Sequence, residues 1–222
     1  MTLREVTEQI ISSIGAAPSL GMKWNPLQIE DLIPSLRVEA IKDIYNGSRM
    51  RGASPRINGA WTQKFNVTID STIQDSSLPY LIANVPAPAP ISKNQNGFIY
   101  VGAKNFLTPF YQAQSRDEII TLNRRGFINN GKQIVYLYAD NQLEIYGNKS
   151  LKDFTIQAVL AKPQDSPNFD IETDDYPLND ELLITIIDMF KRLNNISIAT
   201  PKDTVADGAD NTTTRVISQN II

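Results

Sequence analysis

Hydrophobic positions at the start of the chain recur at helical spacing. Leu3, Val6, Ile10, Ile11 and Ile14 fall on one face, the signature of an amphipathic helix. Thr2 followed by Glu5 offers a capping box before it, and Gly15 and Pro18 end it. Asn25-Pro26-Leu27-Gln28 repeats the logic, with a capping side chain, a proline at the first helical position and a glutamine three after the cap. A short helix is predicted from there to about Ile33, interrupted by Pro34. A second runs from about Leu36 to Asn46, with Ile41, Ile44 and Tyr45 inward and Gly47 as its stop.

After Gly47 the period changes. Residues 48–60 are rich in Gly, Ser, Pro and Arg and read as a loop. From Trp61 to Lys162 the pattern is mostly period two. Phe65, Val67 and Ile69 alternate with polar neighbours, Phe98 and Tyr100 follow with Phe106, and then comes Ile134 to Tyr138. Asp140-Asn141 is a two-residue turn that pairs Gln142–Tyr146 with the strand before it. Phe154, Ile156 and Ala158 close the alternation. Ser115-Arg116-Asp117-Glu118 caps one helical interruption, and Gly126 stops it. PAPAP, at residues 86–90, favours an extended polyproline conformation, and so an edge or a projecting loop.

Residues 163–177 form an acidic linker. Asn179 to Leu193 then gives the strongest helical signal in the chain, with Leu182, Leu183, Ile184, Ile186, Ile187, Met189, Phe190 and Leu193 leaving only a narrow polar stripe. Such a helix is buried on most sides, either within the subunit or partly against a neighbour. The stretch Asn195–Ile222 is polar and aperiodic but carries Val216, Ile217, Ile221 and Ile222. It reads as an arm that orders on a partner, for instance by strand addition, or as a frayed terminus. The fold class expected is α+β, a helical bundle from both chain ends with an inserted antiparallel β-sandwich or barrel-like domain and an extended C-terminal arm. The divisions are 1–48 (N-terminal helical part), 58–163 (β domain), 176–194 (C-terminal helix packing on the N-terminal helices) and 195–222 (arm).

Composition narrows the chemistry. The 222 residues include 0 Cys and 0 His, which excludes disulfides, Cys/His zinc sites, Ser-His-Asp triads and imidazole bases. No dinucleotide, phosphate-loop or hydrolase motif occurs. The acids Asp170, Glu172, Asp174 and Asp175 lack EF-hand spacing. No catalytic residue, cofactor or metal is assigned, and the chain is read as a non-enzyme. The start of the chain lacks a secretory pattern and no apolar run is long enough for a membrane span, so cytoplasmic origin and no membrane contact are expected. The net charge of -3 argues against bulk attraction to nucleic acid.

That net charge is segregated. Arg49, Arg51, Arg56 and Lys64 occur in residues 49–64 without an acid, and residues 164–190 hold eight acids without a base. Complementary patches suit a head-to-tail contact between copies. They also suit two solvated loops, pairing within one subunit, or Arg49, Arg51 and Arg56 facing nucleic acid. The candidate interface set is Arg49, Arg51, Arg56, Asp170, Glu172, Asp174, Asp175, Ile184, Ile187, Phe190, Val216, Ile217, Ile221 and Ile222. Trp24 and Trp61 are read as core or subunit-contact anchors. Tyr100, Tyr111, Tyr136 and Tyr138 would be the platform of an alternative, a β-sandwich binding module for carbohydrate or protein.

Asp174-Asp175-Tyr176-Pro177-Leu178-Asn179-Asp180-Glu181-Leu182-Leu183-Ile184 resembles the helix start near the C-terminus of small virion proteins of short-tailed, crAss-like phages. The layout as a whole resembles the ring-forming head–tail connectors under the portal, of the tail tubular protein A or gatekeeper kind. Asn179 stands where proline is common, and it still supports a helix cap. The resemblance implies a structural virion protein at the portal vertex, assembled in the host cytoplasm. It implies a ring of about a dozen copies that joins portal to tail beside neighbouring ring proteins. Packaged DNA would pass through the lumen without sequence-specific binding, and the arm would lie on the adjacent ring or the portal.

Overall fold

A computed structural model describes residues 1–15, 25–52, 56–73, 78–92, 95–105, 107–128 and 133–193. Its helices are α1 (Leu3–Gly15), α2 (Pro26–Met50), α3 (Arg116–Arg124) and α4 (Asp180–Leu193). Its strands are β1 (Gln63–Thr68), β2 (Ser71–Ile73), β3 (Tyr80–Asn84), β4 (Pro90–Ser92), β5 (Gln95–Asn96), β6 (Phe98–Gly102), β7 (Tyr111–Gln112), β8 (Val135–Ala139), β9 (Gln142–Tyr146) and β10 (Asp153–Ala158). The α+β class stands.

The α1 capping box closes in both directions. Thr2 N donates to Glu5 Oε2 at 2.8 Å and Glu5 N to Thr2 Oγ1 at 3.3 Å. Asn25 caps α2 by accepting from Leu27 N at 3.1 Å. The two helices expected on either side of Pro34 are instead one helix of 25 residues. Proline inside a helix costs about 3 kcal/mol. Here burial outweighs it, because Ile29, Ile33, Leu36, Ala40 and Ile41 form one buried stripe that spans the proline. Gly47 does not stop the helix either. The helix ends at Met50, and Gly52 just beyond the cap, with a φ of +73°, turns the chain off the helical path at no steric cost.

α1, α2 and α4 pack on one another and share a core with Trp61, Ala89, Ile91, Val159 and Tyr176. A second core lies between two open sheets, ordered β1-β10-β6 and β2-β3-β9-β8-β7. Neither closes into a barrel. Phe65 and Val67 from β1 meet Leu81, Leu143 and Ile145 from the larger sheet, with Phe154 and Ile156 from β10. β8 alternates as its sequence demands. Tyr136 and Tyr138 turn into this core, while Val135 and Leu137 face a third cluster under α3 with Ile119. The Asp140-Asn141 turn has both φ values positive, at 51° and 62°, as a two-residue hairpin requires.

Three expectations need correcting. The β region is not wholly antiparallel, because β7 pairs parallel with β8. The Pro-rich piece does not project. Pro88 and Ala89 are buried, Ala89 N donates to Val159 O at 2.8 Å, and Ala161 N to Ala87 O at 2.9 Å. Gly97 permits this crowding, since a Cβ there would lie 2.2 Å from Val159 O and 2.9 Å from Ala89 N. The acidic stretch is no free linker. It starts with a 3-10 turn at Pro163–Asp165 and keeps Ser166 and Tyr176 buried.

Candidate subunit interface

α4 is set by its first residue pair. Asn179 Oδ1 accepts from Leu182 N at 3.1 Å, capping the helix, and from the indole Nε1 of Trp61 at 2.9 Å. Trp61 is thus a core anchor. Trp24, like Phe106, lies outside the described residues. The inward face of α4 carries Leu182, Leu183, Ile186 and Phe190. Phe190 is 1% exposed, so this subunit takes it up and leaves it no surface for a neighbour. Ile184, in contrast, is 62% exposed. It stands among the exposed Asp180, Glu181 and Asp188, and Ile187 is half-buried beside it. Within this subunit, the helix expected to be buried on most sides is therefore buried on one. Val216, Ile217, Ile221 and Ile222 lie outside the described residues.

The acidic segment is held by its own backbone. Asp174 Oδ2 accepts from Asp170 N at 2.8 Å, and Asp170 Oδ1 from Glu172 N at 3.0 Å. Donation from the Glu172 amide foremost, and from the Thr173 side chain next, holds the Asp170 carboxyl below its ordinary pKa. Asp175 pairs with the amino group of Met1, whose carbonyl accepts from Tyr176 N at 2.8 Å. Glu172 lines a groove with Arg4 and Glu30, so this loop sits at the N-terminal end of α2. Arg49 and Arg51 stand exposed at the other end. From Glu30 to Arg49 the helix rises about 28 Å at 1.5 Å per residue. Among the described residues no ion pair joins Arg49, Arg51 or Arg56 to an acid.

Between these ends lies a residue that sequence reasoning missed. Arg37 is 0% exposed. Its Nε donates to Pro177 O at 2.8 Å, Nη1 to Leu160 O at 3.0 Å and Nη2 to Trp61 O at 2.5 Å. Its guanidinium carbon lies 6.0 Å from the centre of the Tyr176 ring. Burial lowers its pKa to about 10, with Tyr176 acting in the opposite sense. The signal was available, because Arg37 falls on the apolar stripe of α2 between Ile33 and Ile41, where a solvated arginine has no place.

The four tyrosines of the binding-module alternative do not converge. Tyr136 is buried between the sheets, and Tyr138 packs edge-on against Phe98, 5.2 Å between ring centres. Tyr100 donates to Ala103 O at 2.8 Å, and the exposed Tyr111 donates to Glu118 Oε1 at 2.7 Å. Among the described residues no group of three or more acidic side chains is arranged to hold a metal ion. In the same residues no helix is long and apolar enough to cross a membrane.

The comparison with protein families supplies the class, a structural ring component of a phage tail. Residues 5–212 match the family model described as phage tail ring protein 2, of the crAss-like phage ring proteins, and the chain belongs to that family. No curated protein matches it. Family membership makes the chain a virion component that assembles as an oligomer within the tail.

Proposed function

We propose that the chain is a subunit of a ring connecting the portal to the tail, with DNA leaving the head through its lumen. The observation that carries this reading is the match to a tail ring family over residues 5–212. The ring holds about a dozen copies and stacks against the portal and neighbouring ring proteins. It assembles in the host cytoplasm, and residues 195–222 reach an adjacent ring or the portal. We read the two facing sheets as a β-sandwich inserted into the bundle of α1, α2 and α4, with working limits 1–48, 58–163, 176–194 and 195–222.

Electrostatics supports the channel. A wall with a net charge of -3 per subunit lets DNA slide, where a strongly basic lumen would retain it. Neighbours meet head to tail, the Arg49 and Arg51 end of α2 against the acidic loop of the next copy. Both ends are exposed and unpaired with each other inside the subunit, and heterologous contacts close into rings when the rotation permits. The test is size-exclusion chromatography with light scattering and negative-stain imaging, alone and with the portal. Rings coaxial with the portal are expected. A chain that stays monomeric in both conditions overturns the reading.

A further inference from the structure

Two helices of this subunit carry the same exposed pattern with opposite charge. On α3, Arg116, Ile120 and Arg124 stand four residues apart and are exposed. On α4, Asp180, Ile184 and Asp188 do the same. Residues four apart share a helix face. Each helix therefore presents a stripe of charge, isoleucine and charge, about 12 Å long at 1.5 Å per residue. The isoleucines are 45% and 62% exposed. Each stripe lies away from the side its helix buries, Ile119 on α3 and Leu182 with Ile186 on α4. The two belong to different parts of the subunit, since α3 packs with Val135, Leu137 and Tyr146 while α4 packs with α1 and α2. Arg116 donates to Glu144. Among the described residues Arg124, Asp180 and Asp188 make no ion pair.

Rows of residues four apart are ridges through which helices pack, and opposite charge selects the partner. We propose that α3 of one copy docks antiparallel on α4 of the next. Ile120 then lies against Ile184, Arg124 beside Asp180 and Arg116 beside Asp188. Flanking charges set the direction. Antiparallel, Arg125 meets Glu181 and Asp117 meets Arg192, all four being exposed. Parallel, Asp117 would meet Glu181 and Arg125 would meet Arg192, and like charges brought together oppose docking. The antiparallel arrangement also sets the arginines at the end of α3 against the acids in the first turn of α4, in the sense both helix dipoles favour. Two different surfaces meet, so the contact is heterologous and repeats from copy to copy. Its sense is that of the contact at Arg49 and Arg51, arginines of one copy meeting acids of the next. This inference rests on the ring reading, since the docked helix belongs to a neighbouring subunit.

The chain has 0 Cys, so introduced cysteines report proximity without background. I120C/I184C is made in the full-length chain, oxidised alone and with the portal, and separated on a non-reducing gel. The uncross-linked protein is sized in parallel by light scattering. L107C/I184C is the control, Leu107 being 80% exposed on the loop before β7. A disulfide needs Cα atoms roughly 4.4–6.8 Å apart, a range that facing residues of two packed helices reach. The expected result is a ladder of cross-linked multimers, at least tenfold above the control. Charge inversion reads the direction. R124D is expected to weaken assembly about tenfold or more, R124D/D180R to recover a large part of it, and R124D/D188R to recover little. Oligomers that form without the ladder, or with a ladder no stronger than the control, overturn this contact and leave the ring reading standing. Cross-links confined to single chains overturn the second copy as partner. Recovery by D188R rather than D180R overturns the antiparallel direction. A parent chain that forms no oligomer, alone or with the portal, overturns the ring reading and this contact with it.

Discussion

Stripped of water, the Arg37 guanidinium is balanced by three backbone carbonyls and the face of Tyr176 rather than by a carboxylate. Removing it leaves three buried acceptors unpaired, at about 1–3 kcal/mol each, while relieving a buried charge. R37M is expected to lose about 2–4 kcal/mol of stability in urea unfolding. R37K is expected to recover little of it, because one ammonium does not reach carbonyls in three directions. Equal stability of R37M and the parent would remove Arg37 from the framework. The buried tyrosines set the alkaline limit. Burial raises Tyr136 and raises Tyr176 to about 12, and burial with the hydrogen bond to Glu144 raises Tyr146. Above about pH 10 the unfolded chain has lost protons that the folded one retains, so stability falls as pH rises. Arg37 acts in the opposite sense but is one group against three. Tyrosinate absorbance of these residues should therefore appear together with loss of helical circular dichroism, not before it.

Caps and alternation were legible because they are local. Thr2 with Glu5, Asn25, Ser115 and the Asp140-Asn141 turn each act within four residues of themselves, and the period of β1, β8 and β10 follows which side faces a core. What was not legible depends on partners far along the chain. Pro34 reads as a break until the buried stripe on both sides of it is known. Tyr80–Asn84 forms β3 inside the larger sheet, where one of its partners, β9, comes about sixty residues later in the chain. Asn179 was legible as a cap but not as the acceptor for the Trp61 indole. N179A therefore removes two interactions at once. It is expected to cost about 2–3 kcal/mol, more than a cap alone, and to shift Trp61 fluorescence. N179D should retain most of the stability. A loss no larger than that of an ordinary exposed cap would show that the indole bond contributes nothing.

Charge separation belongs to the whole molecule. The sequence displayed both stretches, but not that a helix of 25 residues holds Arg49 and Arg51 away from the loop beside Glu30. Head-to-tail contact predicts that R49E/R51E weakens assembly tenfold or more, chiefly through the association rate, and that added salt narrows the difference. E172K added to R49E/R51E should restore part of it, because both surfaces are then inverted. Light scattering across protein and salt concentrations decides this, and unchanged assembly of R49E/R51E sinks the contact. One further consequence concerns force. The β region leaves the helical bundle near Trp61 and returns near Leu160, and Arg37 grips both points together with Pro177 at the approach to α4. A pull on the sheets is thus resisted at α2 by three hydrogen bonds from one side chain and by the core that Trp61, Ala89, Ile91 and Val159 share with the helices, rather than by the two peptide crossings alone.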